Sequence, residues 1–357
     1  LPTLKAPDTN LLINRNKAKR HTMQTPATLP IIDLHCDLLV YLTDVPGAMQ
    51  DNIDEIGCAL PSLTQGNVKL QVMAIYCPTK AGSTVYSKKQ SEAYKLLAEA
   101  DNCLTPVKNI QELQQALKAD TTGMVAAIEN ASGFCEEDEP LEDGFKKLEK
   151  IIEDTGQLLY ISMTHSLANR FGGGNATTQG ITRDGKMLLD YMHGRRIAID
   201  MSHTSDALAF DILEHIDKEK LDVPVIASHS NFRALWQHER NLPDELVQEI
   251  IRRQGLIGVN FLRSFLNTDN PDAILDHIAY GFANGAENNI CFGADYFYTA
   301  DEKDASRLPF YFPDLLHAGV SYSYILNRLR ERLNVNQLEQ LAYRNALQFV
   351  ERIWAGI

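Results

Sequence analysis

Ile31-Ile32-Asp33-Leu34-His35-Cys36-Asp37 is the stretch on which the reading of the fold turns. It opens apolar and β-branched, as a buried strand does, and closes on ionisable residues. Side chains two apart share a face of a strand, so His35 and Asp37 are expected to point together toward one side. Runs of the same kind recur at residues 69–77, 124–130, 158–165, 196–203, 224–230, 255–262 and 289–296. Each is too short for a helix and is bounded by polar or glycine-containing sequence, giving eight strands with the first. Segments of helical period lie between them, at residues 91–102, 141–154, 184–193, 204–216, 243–254, 271–284 and 313–333. Two carry residue types that start helices: Thr204/Ser205 ahead of Asp206, and Pro243 ahead of Asp244 and Glu245.

Buried strands alternating with helices imply parallel pairing, because a crossover is needed to bring the chain back to the same end of the sheet. Eight such units point to an α/β fold of the (β/α)8 TIM-barrel type. An open doubly wound sheet is the runner-up, but the first strand is not followed by G-x-G-x-x-G. Gly172–Gly174 lacks the Lys-Ser/Thr of a phosphate-binding loop and reads as a flexible active-site loop. No linker interrupts the series, so residues 30–357 are expected to form one barrel domain, and the polar, proline-punctuated residues 1–29 a tail or arm. Residues 38–68 are more irregular than one helix requires and suit an insertion over the barrel mouth. A helix pair over 336–354 closes the chain.

The formal net charge of −13 offers no cationic face to a phosphate backbone, which excludes a nucleic-acid partner. No apolar run has the length of a transmembrane segment, and residues 349–357 read as the end of an amphipathic helix, not the apolar tail of a lipid-anchor signal. The cysteines at 36, 58, 77, 103, 135 and 291 form no C-x-x-C pair and read as free, mostly buried thiols. Cytoplasmic and exported (periplasmic) locations both stay open.

The ionisable residues fall at the ends of the apolar runs: His35 and Asp37, Glu129, His165, His203, His229 and Asp295. In a parallel barrel these ends converge on the face that carries active sites. One histidine at a strand end is commonly a hydrogen-bonded bystander, and one carboxylate can cap the next helix. Four histidines and three carboxylates ending six strands are not explained that way. His193, His215, His238, His277 and His317 fall in helix or loop segments and read as bystanders. Imidazoles with carboxylates, and no thiolate cluster, suit Zn2+ and related divalent ions. Five such ligands exceed one tetrahedral site and suit two ions about 3.5–4 Å apart sharing a carboxylate.

At these residues the chain resembles the membrane dipeptidase (renal dipeptidase) family of metallopeptidases, over its length from about Ile31, with the motifs in family order. Asp33-Leu34-His35-Cys36-Asp37 resembles the opening D-x-H-x-D, whose His and second Asp bind metal. Ile128-Glu129 resembles the strand with the bridging carboxylate, and Thr164-His165-Ser166 the segment whose His contacts the substrate. Ile199-Asp200-Met201-Ser202-His203 and Ser228-His229-Ser230 resemble the segments completing the second metal site. Arg240-Asn241-Leu242-Pro243-Asp244 resembles the R-N-x-P-D segment whose Arg holds the substrate carboxylate, and Phe292-Gly293-Ala294-Asp295 the F-G-[GA]-D whose Asp acts in catalysis. There are departures. Asn130 and Ala131 stand where the family often has two glycines, and Tyr296-Phe297-Tyr298 follows Asp295 where it commonly has F-D-G, so a second Asp is missing. The residues from Tyr296 to Leu308 are expected to line the mouth. Leu167 replaces a half-cystine of the animal enzymes, so their disulfides are not carried over.

The resemblance implies a zinc-dependent dipeptidase with two Zn2+ per chain bridged by Glu129, His35 and Asp37 on one ion and His203 and His229 on the other. A hydroxide shared by the ions would be the nucleophile. His165 would meet the oxyanion, Asp295 would carry the proton from the attacking water to the leaving amine, and Arg240 would pair with the carboxylate of a dipeptide or similar small substrate. Homodimers are common in the family. Two alternatives stand beside this. One is a metal-dependent amidohydrolase acting on another small amide or ester; such enzymes often open with H-x-H and bridge their metals with a carboxylated lysine. The other is a catalytically inactive accessory homologue.

Overall fold

Strand β1 (Ile31–Cys36) is hydrogen-bonded on both edges, to β2 (Val68–Tyr76) and to β9 (Ile290–Phe292), so the last strand of the chain returns beside the first. This is a computed structural model, and it describes residues 29–100 and 104–355; the arm expected over 1–29 lies, but for Leu29, outside the described residues. Between β2 and β9 come β4 (Thr122–Glu129), β5 (Leu158–Ser162), β6 (Ala198–Asp200), β7 (Val225–Ala227) and β8 (Leu256–Val259). Every pairing is parallel, and β2 pairs with β4 to close the ring. The eight-stranded parallel barrel with surrounding helices is the architecture expected from the alternating pattern. A further strand, β3 (Leu104–Pro106), pairs with the start of β4. At three residues ending in proline, it carries no sequence pattern that could reveal it.

Two apolar clusters hold the barrel. One draws at least one residue from each of the eight ring strands, which only the barrel interior permits: Ile32 and Leu34, Leu70, Val125, Leu159, Ala198, Ile226, Leu256 and Cys291. It is sealed at the strands' N-terminal end by Phe349, Val350, Ile353 and Trp354 of the last helix, Asn345–Ile353. Burying each such side chain contributes about 1.5–3 kcal/mol. The larger cluster lies between the strands and the outer helices.

Several local readings need correction. The helix expected at 91–102 begins earlier, at Ser83–Glu99, because its buried face is polar: Ser83, Ser87, Gln90 and Ser91. Gln90 takes the Tyr76 N–H and donates to the Tyr76 carbonyl, substituting for a strand partner at the end of β2. The C-terminal pair is one helical run, Val335–Glu339 and Asn345–Ile353 joined by a π turn at Gln340–Arg344. The strands themselves are shorter than the apolar runs. His165, His203 and Asp295 each sit three residues beyond β5, β6 and β9, where the chain has already left the ladder. Among the described residues no helix is long and apolar enough to cross a membrane. Five cysteines are free and buried, as expected; Cys103 lies outside the described residues.

Candidate metal centre

The first motif is not a plain strand. Asp33 stands opposite Gln71 and Cys36 opposite Met73, three steps against two, so β1 bulges between them. Strict alternation would put Asp33 and His35 on one face. The bulge separates them: Asp33 takes the hydroxyl of Tyr322, a residue of the outer cluster, while His35 faces the interior. Asp37 follows just after β1, its carboxylate 4.0 Å from His35 Nε2.

Glu129, the last residue of β4, is the centre of the cluster. Its carboxylate lies 3.4 Å from His35 Nε2, 2.9 Å from His203 Nε2, 3.7 Å from His229 Nε2 and 3.8 Å from His165 Nε2. Asp295 Oδ1 is 3.7 Å from His35 Nε2. Three ligand sets are compact enough to hold an ion: His35, Asp37 and Glu129; Glu129, His203 and His229; His35, His229 and Asp295. Glu129 is common to the first two, as a shared carboxylate requires. The third set brings Asp295 within ligand reach as well, a place the sequence reading did not give it.

The ring tautomers support ligation. Tyr160 donates its hydroxyl to the Leu34 carbonyl, so its oxygen accepts from His35 Nδ1, 2.7 Å away. Asn175 Oδ1 accepts from His203 Nδ1 at 3.3 Å, and Ser228 Oγ lies 2.7 Å from His229 Nδ1. With Nδ1 anchored outward in each case, Nε2 is the atom turned to the cluster, the usual arrangement for metal-bound histidine. His203 and His229 bring their Nε2 atoms to 3.1 Å of each other, and His35 Nε2 and Asp37 Oδ1 are buried without a hydrogen-bond partner. Those orphaned atoms fit a cation, and the donor set of nitrogen and carboxylate oxygen fits a borderline divalent one.

Electrostatics agree. Burial alone would lower the pKa of His35, yet the carboxylates of Glu129, Asp37 and Asp295 raise it to about 10. Burial would raise Glu129, but His35 and His203 hold it well below the usual carboxylate range. Burial raises Asp295 to about 6, against the opposing pull of His35. Burial keeps His203 and His229 far down, and lowers His165. The pocket therefore attracts positive charge and holds most of its imidazoles neutral, the form that binds metal.

Three residues at strand ends have positive φ without being glycine: Asn130 (80°), His203 (67°) and Asp295 (63°). This strain aims their side chains into the site. Asn130 occupies a position where the related family often has glycine. It tolerates the backbone because its amide is fully engaged, donating to the Cys77 carbonyl and Thr79 Oγ1 and accepting from Ser132 N–H and Asn169 Nδ2. The Gly172–Gly174 loop is buried and tightly packed, so the expectation of a flexible loop is corrected. A Cβ on Gly174 would meet the His165 carbonyl at 2.0 Å. The loop instead delivers Asn175 to His203.

A cavity of about 640 Å3 opens over the cluster. Asp37, Glu129, His165, His203, Arg240 and Asp295 reach its wall, with Tyr41, Tyr76, Phe265, Phe297 and Tyr298 above them. Segments 38–68 and 296–308 contribute to the mouth, as expected. Arg240 is 6% exposed and has no ion pair among the described residues; it donates only long bonds, to Ser230 Oγ at 3.4 Å and the His229 carbonyl at 3.3 Å, and its Nε has no partner. His238, read as a bystander, also lines the cavity, and its Nδ1 accepts the Arg240 N–H. Asn260 was missed too: it follows β8 and donates to Asp295 Oδ2 at 2.7 Å. Neither residue stands out in an apolar run.

The family described as membrane dipeptidase (peptidase family M19) matches residues 19–348 of this chain. An uncharacterised protein encoded in the pqqA 5′ region of Klebsiella pneumoniae is 27% identical over 276 residues, 73% of this chain and 93% of that one. Among solved structures, the M19 metallopeptidase called dipeptidase AC superimposes with a TM-score of 0.79 at 18% identity, covering 92% of this chain and 100% of its own. A metallopeptidase from Rhodobacter sphaeroides, solved with a phosphinate mimic of the dipeptide L-Ala-D-Ala, gives 0.77 at 18%, covering 92% and 100%. Likeness at that identity speaks for the fold.

Proposed function

The chain belongs to the membrane dipeptidase family, peptidase family M19, and on that premise we propose that this metal-dependent hydrolase cleaves dipeptides. The observation that carries the proposal is Arg240: a buried guanidinium with no carboxylate partner, in the wall of the cavity that holds the metal-ligand cluster. Keeping an unpaired charge there is costly unless a ligand completes it, and a planar guanidinium suits a carboxylate. A free carboxylate a short distance from a scissile amide describes a dipeptide. The Rhodobacter sphaeroides structure, liganded with a dipeptide mimic, supports the same substrate class.

In this reading His35 and Asp37 hold one divalent ion, His203 and His229 a second, and Glu129 bridges them, with Zn2+ the expected metal. When bound, the pair supplies Lewis acidity that polarises a carbonyl and acidifies water. The other residues have their own tasks. Asp295, oriented by Asn260, accepts the proton of the attacking water and returns it to the departing amine. His165, kept neutral by burial, donates toward the developing oxyanion. Arg240 fixes the substrate's far end, and the aromatic walls exclude water above it.

The test is hydrolysis of a panel of L-L and L-D dipeptides, with a tripeptide control, by chelator-treated protein before and after Zn2+ is restored. Zinc-dependent cleavage of dipeptides alone is expected. Full metal loading without cleavage of any of them would end the dipeptidase reading and turn the search to other small amides and esters.

A further inference from the structure

Beneath the second half of the cluster lies a carboxylate that touches neither cavity nor ligand. Asp200, the last residue of β6, is wholly buried. Its Oδ1 accepts the backbone N–H groups of Ser202 at 3.1 Å and Ser228 at 2.7 Å. Its Oδ2 accepts the hydroxyls of Ser162 and Ser228, each at 2.7 Å. A serine hydroxyl has one proton. That of Ser228 lies toward Asp200, since the competing acceptor, Ser202 Oγ, is 3.4 Å away and uncharged. The Ser228 oxygen can then only accept from its other close neighbour, His229 Nδ1 at 2.7 Å. The ring proton is held at Nδ1, and Nε2 is left as a lone pair facing Glu129 and His203.

We infer that Asp200 is a positioning residue which, through the Ser228 hydroxyl, dictates the tautomer of His229 and so makes one half of the centre able to take a metal. The inference rests on the proposed ligand role of His229. His35 has no such relay: its Nδ1 is held by Tyr160, a neutral group anchored on a carbonyl.

The consequence is specific because Asp200→Asn reverses the relay without changing its shape. The two backbone N–H groups keep the amide oxygen at the Oδ1 place, so the NH2 faces Ser228 and donates to it. The Ser228 proton turns to His229 Nδ1, and the ring proton moves to Nε2, where a metal should bind. A buried aspartate that orients a catalytic histidine behaves this way in serine proteases, where the amide leaves the geometry intact and gives the wrong tautomer.

The experiment uses full-length protein in two states. In the metal-free state, 15N-resolved imidazole spectra should show His229 protonated at Nδ1 in the unsubstituted protein and at Nε2 in Asp200→Asn. In Zn2+ titrations against a competing chelator, Asp200→Asn should weaken one site by about 10- to 100-fold or more. Ser228→Ala should weaken it less, because no donor then forces the wrong tautomer. The double variant Asp200→Asn/Ser228→Ala should bind Zn2+ better than Asp200→Asn alone, a rescue that a merely structural role for Asp200 would not produce. A double variant no better than the single, or an unmoved His229 proton in Asp200→Asn, overturns the relay. If Asp200→Asn does not fold, Ser228→Ala decides: a His229 ring still fixed as the Nδ1 tautomer overturns it. An unsubstituted protein that binds no Zn2+ refutes the metal reading instead, while the metal-free spectra still report on the relay.

Discussion

The two ends of this barrel are built from the same strands and solve opposite problems. At the C-terminal end, His35, Glu129, His203, His229, Arg240 and Asp295 are buried polar groups arranged around a cavity. At the N-terminal end, Phe349, Val350, Ile353 and Trp354 close the interior with apolar contact. Both ends contain non-glycine residues at positive φ, but for different reasons. Asn67 (53°) and Lys220 (53°) sit just past helices that lead back into strands, where a left-handed residue simply ends a helix. Asn130, His203 and Asp295 sit just past strands and aim side chains at the cluster. Backbone strain at the floor is a matter of connection, and at the rim a matter of chemistry.

That contrast can be broken by substitution, with the largest effect expected at the hub of the rim. Glu129→Gln removes the shared charge, so metal content on folded protein should fall and kcat/KM should drop by about 10^3-fold or more. Elemental analysis finding full loading would remove Glu129 from the bridge. Asp295→Asn should lower kcat by about 10^2- to 10^4-fold while metal content stays near that of the unsubstituted protein. Lost metal instead would place Asp295 among the ligands, in the set it forms with His35 and His229.

At the floor the readouts should exchange. Trp354→Ala should cost about 3–5 kcal/mol of stability in denaturant unfolding, and KM and metal content per folded chain should not move. A metal site that weakened with it would mean the two ends are coupled. Arg240→Ala should raise KM for dipeptides by about 10- to 100-fold, from loss of one charge-assisted contact, with little change in unfolding. The smallest effect belongs to Lys220→Gly, since glycine takes the left-handed region freely. Stability should stay equal or rise by up to about 1 kcal/mol, with unchanged kinetics. A marked loss there would show that floor strain is also functional.

The rim was unusually legible in the sequence because its residues interrupt apolar runs. His35, Glu129 and His229 each end a stretch in which burial would otherwise exclude them, and such exceptions show without coordinates. Asn260, Asn175 and His238 do not: one follows a short strand, one comes from a glycine loop, and one precedes Arg240 in a turn. Their roles depend on where loops cross the cavity. Asp33 and Asp200 stand inside quoted motifs, yet their functions were hidden. The β1 bulge turns Asp33 away from the site, and Asp200 reaches a ligand only through a serine on the neighbouring strand.

The sequence by itself determined the strand count of the barrel, its parallel sense and the set of polar residues gathered at one end. These follow from local pattern: buried parallel strands are apolar, and helices must intervene between them. Only the tertiary structure decided the side to which each of these residues turns, which imidazole nitrogen is free, and that Arg240 has no ion-pair partner among the described residues. Those depend on bulges, register and hydrogen bonds between strands far apart in the chain. A one-residue shift in any of them would leave the local pattern intact and move the side chain elsewhere.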